Sequence, residues 1–588
     1  NTVSLSNNST LQLIGSTTSY TGSGLNVGSG SSIEMSGATL SLNALNLQQA
    51  SASLNGYGLV IASQASNAGT IAANDGILEL RNSTINQSST GVLAAAAVDT
   101  GLSVPDAASI LRLTNTTVNG GQVRVGNGAL LSSRGSTSLT GVEAVNQGAI
   151  LTDSGVLGFT DSTIDNQAGG RIAVSGGELS LQSTTLSNAD DALIKVATRA
   201  GSATDALLTL VDSTITDGRL KLSSEPGAQA ILQGYGELRD VDLTVGVGSL
   251  VDANVLDQRL TVEIGTGSLT NLGIMQASLG GILKLSGGTV TGTGEILALD
   301  GSTVEIRNMN FSGVQLRTVG SGVIRDLATS TMANFSNSGL FEVAGDLTLL
   351  GNANNQGGEI RVLDGGIVRV GPGGANTATG QPLPFTLDGG RLMLDSGSQV
   401  LRAGSALTLV EASVGGFGVI NADVYATTGS SIEPGDDAMA GLLTIKGDLT
   451  TEVGSQIVLD VFRGTTGALE FDQLLVEGAL NLAGTVLFNI LDQTMLEEFV
   501  NTVTLFELFL GGPRGPAPQP GDFSGMSFEA LMARSLSRLL LAEDGSFSIF
   551  STDPISDRVP EPGVLALLCI GLLLLSMRAC RVSRRMSR

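Results

Sequence analysis

One eight-residue pattern, Leu-x-[Leu/Phe]-x-[Asn/Asp]-[Ser/Thr]-Thr-[Ile/Val], constrains this chain more than any other feature. It stands at Leu78 to Ile85, Leu111 to Val118, Leu157 to Ile164 and Leu208 to Ile215, with a looser copy at Leu179 to Leu186. Each copy is a short period-2 run, then a polar turn, then a second apolar residue. Period-2 alternation over three to six residues bounded by turn residues reads as a β-strand. The Asn, Asp and Ser at the turn position tolerate a left-handed backbone. Spacing between copies is uneven, which excludes a propeller with blades of one length.

Two further patterns repeat. A [Leu/Val]-x-Gly-x-Gly unit carries Gly56 and Gly58, Gly234 and Gly236, Gly292 and Gly294, and Gly416 and Gly418. An Asn-x-Gly-x-[Ile/Leu] unit starts at Asn67 and Asn146. One short coil of such strands has too little apolar surface to fold alone. Stacked coils share a core, with neighbouring strands about 4.8 Å apart. The pattern therefore predicts a mainly β fold, a right-handed parallel β-helix (β-solenoid), over residues 1–490. Inward Leu, Ile and Val fill it, and stacked Thr, Ser and Asn bond along the axis. Only six of the 13 prolines precede residue 500, as expected where each ladder strand needs its N–H.

Composition closes off most chemistry. The chain of 588 residues has no His and no Trp, so imidazole catalysis and imidazole metal sites are excluded. Its two cysteines, Cys569 and Cys580, leave residues 1–568 without a thiol, which suits export. A net charge of −24 repels nucleic-acid phosphates, so no nucleic-acid partner is expected.

Residues 414–490 contain Gly418-Val419-Ile420, Ile432-Glu433-Pro434-Gly435, Leu443 to Leu449 (LTIKGDL) and Phe471 to Leu474 (FDQL). This segment resembles the terminal repeats of autotransporter-type passenger domains. The resemblance implies a β-helical, surface-exposed repeat domain and carries no activity with it. After residue 490 the texture changes. Thr494 to Val500 reads as a short helix, Thr502 to Leu508 as a strand, Ser527 to Ala542 as apolar residues at helical spacing, and Gly545 to Ser551 as a last strand. Residues 491–557 are expected to form a small α+β cap that covers edge backbone.

The last segment, 558–588, has three parts. Val559, Pro560, Glu561 and Pro562 come first. An apolar run, 563–577, follows; its 15 residues would span about 22 Å as a helix, short of the ~20 residues of an ordinary membrane crossing. Arg578, Arg581, Arg584, Arg585 and Arg588 close the chain and would stay cytoplasmic. This order is similar to the PEP-CTERM sorting signal of Gram-negative bacteria. The resemblance implies a single transmembrane helix in an inner-membrane-anchored precursor. It further implies processing by an exosortase and delivery to the cell surface or matrix. A secretory signal would precede Asn1.

Candidate chemistry is thin. Acidic neighbours at Asp190-Asp191, Asp436-Asp437 and Glu497-Glu498 could serve as acid and base on a polysaccharide; solvated turn residues are the plainer reading. With four lysines in the chain, Arg171, Arg219, Arg307 and Arg402 would have to hold an acidic sugar there. Tyr57, Tyr235 and Phe417 sit between glycines and read as corner residues that pack on the next coil. No catalytic, cofactor or metal set is assigned. The expectation is a non-enzymatic surface or matrix protein, adhesin-like, a rigid rod with exopolysaccharide or neighbouring cells as partners. A carboxylate lyase or hydrolase, and a passive scaffold, are the alternatives.

Overall fold

The computed structural model describes residues 2–95, 109–371, 384–403, 405–436, 439–464 and 467–490, with three short strands beyond them. Every regular element among these residues is a strand, and no helix there is long and apolar enough to cross a membrane. The chain divides into two units, Asn1–Phe341 and Glu342–Arg588. Each contains a stack of parallel coils.

In the first unit three files of strands surround one core. Along the first file, Leu25, Leu45, Ala65, Ile85 and Val118 occupy matching positions in successive coils, followed by Leu139, Phe159, Leu181 and Leu210. The second file stacks Leu78, Leu111, Leu131, Ile150, Ile172, Ile194 and Leu220. The third stacks Ile71, Leu93, Val123, Ala144, Ile164, Leu186 and Ile215. All of these side chains are buried. Each buried Leu, Ile or Val is worth roughly 1.5–3 kcal/mol, and like stacks on like without the steric mismatch that a Trp would bring.

The corners follow from the eight-residue pattern. Asn82, Asn115, Asp161, Ser183 and Asp212 all have positive φ, between 47° and 51°. The next residue turns its hydroxyl inward and ties coils together. Ser83 Oγ accepts from Ala62 N (3.0 Å), Ser162 Oγ from Val142 N (3.2 Å) and Ser213 Oγ from Thr184 N (3.1 Å). Thr116 Oγ1 donates to Leu80 O at 2.9 Å. The pattern is a corner module and belongs to no single corner. Copies at 78–85 and 111–118 lead from the second file into the first, whereas those at 157–164, 179–186 and 208–215 lead from the first into the third. That switch is one reason the copies are unevenly spaced.

Asparagines tie a second corner. Asn146 Nδ2 donates to Asn166 Oδ1 and Asn166 Nδ2 to Asn188 Oδ1, both at 2.6 Å, and all three residues are fully buried. The ladder starts at Asn146 because its neighbour one coil earlier is Val125; Asn146 Oδ1 is left without a donor.

The second unit repeats the scheme. Ile360, Leu392, Val414, Ile432 and Ile457 stack along one file, and Val368, Val400 and Ile420 along another. Strand Gln456–Arg463 also pairs antiparallel with Leu469–Phe471. Past residue 490, Phe509–Leu510 adds a parallel strand, and Phe547–Phe550 pairs antiparallel with both Thr485–Ile490 and Arg538–Leu541. The helical spacing read over 527–542 therefore ends in a strand. Leu539 and Leu541 pair with Ile549 and Phe547. The Thr494–Val500 helix, the Thr502–Leu508 strand and the 563–577 transmembrane helix lie outside the described residues.

Candidate functional site

The second unit holds a cleft of about 270 Å³ on one sheet face. Four consecutive coils build it through strands Glu359–Val362, Arg391–Leu394, Ser413–Gly416 and Ser431–Pro434. Register puts Glu359, Arg391, Ser413 and Ser431 in one row, and Arg361, Met393, Gly415 and Glu433 in the next. The alternating residues Ile360, Leu392, Val414 and Ile432 fill the core. In the third coil both outward positions are small. Gly415 admits no side chain at all, because a Cβ there would stand 2.2 Å from Glu433 O. The cleft is lined from the coils on either side of these two positions.

Charged side chains ring it. Arg391 reaches across the small third coil, and its Nη2 lies 3.3 Å from Glu433 Oε2. Ser431 Oγ donates to Glu433 Oε1 at 2.5 Å and holds that carboxylate. Arg361 Nε donates to Asp395 Oδ1 at 3.0 Å. Arg391 Nε is buried and meets no acceptor. Met393, Leu394 and Phe417 supply apolar surface, and Glu359 and Asp436 complete the lining.

Asp436 is held there by an excursion of the chain. Gly435 N donates to Gly416 O at 2.8 Å, and Asp436 bridges Met439. At the base, buried Asp472 accepts from Gly441 N (2.8 Å) and Asp460 N (3.0 Å). Burial pushes the Asp472 carboxyl up to about 7. The two backbone donors pull against that, and the nearby Asp460 and Asp436 carboxylates add to it.

The residues singled out in the sequence scatter. Asp190 and Asp191 are exposed turn residues, with Asp191 Oδ1 accepting from Gly169 N at 3.2 Å. Asp437, Glu497 and Glu498 lie outside the described residues, as do the Val559–Pro562 motif and the arginines from Arg578 onward. Arg171 and Arg219 share a file with Leu193 between them, and Arg307 belongs to another. Arg402 pairs with Asp423 at 2.9 Å. Tyr57 behaves as a corner residue, with its ring against Gly76 of the next coil and its hydroxyl 2.9 Å from Ser36 Oγ. Tyr235 is half-buried. Phe417 also packs as a corner residue, against Gly441 of the following coil, and it lines the cleft as well. Sequence reasoning missed Glu359, Arg361, Arg391 and Asp395, which only the stacking of the coils brings together. Among the described residues no group of three or more acidic or thiol side chains is placed to hold a metal ion.

No protein-family model matches the chain, and no curated protein matches it. Among solved structures, it is similar to the TibC-catalysed, hyper-glycosylated TibA55-350 fragment. That match has 16% identity over 60% of this chain and 97% of the other, with a TM-score of 0.23. A superposition of that quality supports no argument about this protein.

Proposed function

We propose that this is an exported, non-enzymatic protein of the cell surface or extracellular matrix. It would be sorted by an exosortase through Val559–Pro562 and the hydrophobic and basic segments behind it. The order of that tail carries the reading: a Pro-Glu-Pro motif, an apolar run and five terminal arginines, attached to an acidic body without thiols. The body supports it. Stacked coils present repeated polar side chains outward, a surface suited to many weak contacts with polysaccharide or neighbouring cells. The strands past residue 490 would act as its cap, because they pair with backbone that otherwise ends the sheet.

The test is a cell-fractionation experiment. The full chain, with a secretory signal, is expressed in a Gram-negative host with and without an exosortase. With the enzyme, a shortened form should reach the surface or medium. Without it, or after Pro560→Ala and Glu561→Gln, the full-length form should stay in the inner membrane. An identical distribution in all three cases would overturn the sorting reading. Release of new chain ends from the host's exopolysaccharide by the purified body would overturn the non-enzymatic one.

A further inference from the structure

We propose that the cleft around Arg391 binds an uncharged sugar unit. This deepens the matrix reading and rests on it for where such a glycan is met. Three observations fix the ligand class. First, the cleft is small. At about 270 Å³ it lies just below the ~300–1,000 Å³ usual for small-molecule pockets, which suits one sugar ring and not an extended peptide.

Second, its polar groups are planar and held. Ser431 and Arg391 fix the Glu433 carboxylate, and Asp395 fixes Arg361. Held carboxylates accept from vicinal hydroxyls in pairs. The Arg391 side chain is 37% exposed, and the N–H groups at the end of its guanidinium can donate to a ring or hydroxyl oxygen. Phe417 lines the cleft and offers apolar surface to the C–H face of the same ring.

Third, the charge balance excludes anions. Among the lining side chains Glu359, Asp395 and Asp436 outnumber Arg361 and Arg391 by three to two, and Glu433 beside Arg391 adds a further carboxylate. A uronate or sulfated sugar would meet an acidic surplus in a partly enclosed site, where like charges repel strongly. A neutral ring meets no such penalty.

Purified full chain is tested by calorimetry and on an array of neutral, uronate-containing and amino-sugar oligosaccharides. Neutral oligosaccharides should bind, and uronates should not. Arg391→Gln and Phe417→Ala should each weaken binding at least tenfold with the β-sheet circular dichroism unchanged. Arg402→Gln, which breaks an ion pair outside the cleft, should leave binding within twofold. The inference is overturned if no neutral sugar binds, if uronates or amino sugars bind better, or if the Arg391 and Phe417 variants bind like the parent. The two readings fail separately. Co-sedimentation with host exopolysaccharide that survives both cleft variants keeps the matrix role and removes the cleft. Arg391-dependent sugar binding in a protein that never leaves the cytoplasm does the reverse.

Discussion

Replacing Asn166 by Ala should open its coil far more often than the loss of one surface residue would. Asn166 is fully buried, donates to Asn188 Oδ1 and accepts from Asn146 Nδ2, each at 2.6 Å. The two bonds are worth about 1 kcal/mol each net. Their loss is not symmetric. Asn146 Nδ2 keeps a second acceptor, Arg171 O at 3.1 Å, but Asn188 Oδ1 loses its donor inside the core, at about 1–3 kcal/mol. The total is about 3–5 kcal/mol. Stacked repeats unfold in parts, so one global midpoint is the wrong observable. Hydrogen exchange at the Gly170 and Arg171 amides reports the local opening, and protection there should fall by about two to four powers of ten. A control separates hydrogen bonding from lost volume. Asn166→Asp keeps the shape, but a carboxylate facing Asn188 Oδ1 cannot donate. Its folded-state pKa is raised, so its stability is restored below the ordinary carboxylate range and lost as pH rises. Protection in Asn166→Ala within tenfold of the parent, or an Asn166→Asp profile that does not depend on pH, would refute the ladder argument.

Three further outcomes follow from single sites. Asp472 titrates at about 7 when folded and near 3.8 otherwise, so the folded state holds the extra proton between those values. Stability at the Gly441 amide should therefore decline by up to about 4 kcal/mol as pH rises from 4 to 7, and Asp472→Asn should flatten that slope, as read from exchange corrected for its intrinsic pH dependence. At Gly234 the backbone has φ +104° and a Cβ would stand 2.0 Å from Leu210 O, whereas Gly141 has φ +63° and open space. Gly234→Ala should cost several times the roughly 1–2 kcal/mol of Gly141→Ala, as hydrogen exchange at the neighbouring amides would show. Asp161 sits at φ 48°, so Asp161→Gly should change protection of the neighbouring amides little, while Asp161→Val should lower it about tenfold.

The fold was legible because its determinants are local. Period-2 runs such as Leu208-Thr209-Leu210 declare strands, and Asn82 or Asp161 declares a left-handed corner, within eight residues. Coil register was not legible. The same eight residues turn two different corners, and an Asn-x-Gly unit likewise turns one corner at Asn67 and another at Asn146. A pattern that marks any corner cannot say which. The cleft depended on that missing register. Asp436 was visible as an acidic neighbour of Asp437, but Glu359, Arg361, Arg391 and Asp395 lie far upstream and join it only through strand pairing. Phe417 looked like Tyr57, an aromatic between glycines, and each does pack against a glycine of the next coil, Gly441 and Gly76; only Phe417 also lines the cleft.

Relief on such a surface needs a departure from the rule that builds it. Most outward strand positions carry a side chain that covers its neighbour. In the second unit glycine stands at two close-packed points in adjacent coils. Gly415 drops a side chain because the Glu433 carbonyl leaves no room for one, and Gly435 takes φ +78° where a Cβ would stand 2.3 Å from Asp472 Oδ1. The second precedes Asp436, which lines the cleft, and Asp472 accepts from Gly441 N. Asp472 is buried among carboxylates and costs stability at neutral pH, which a Leu-and-Val file would not. Conflicts between local cost and global fold concentrate at functional sites. Here the cost is tied to the cleft through Gly435 and Gly441, the glycines that pack on Asp472 and flank the strand end carrying Asp436.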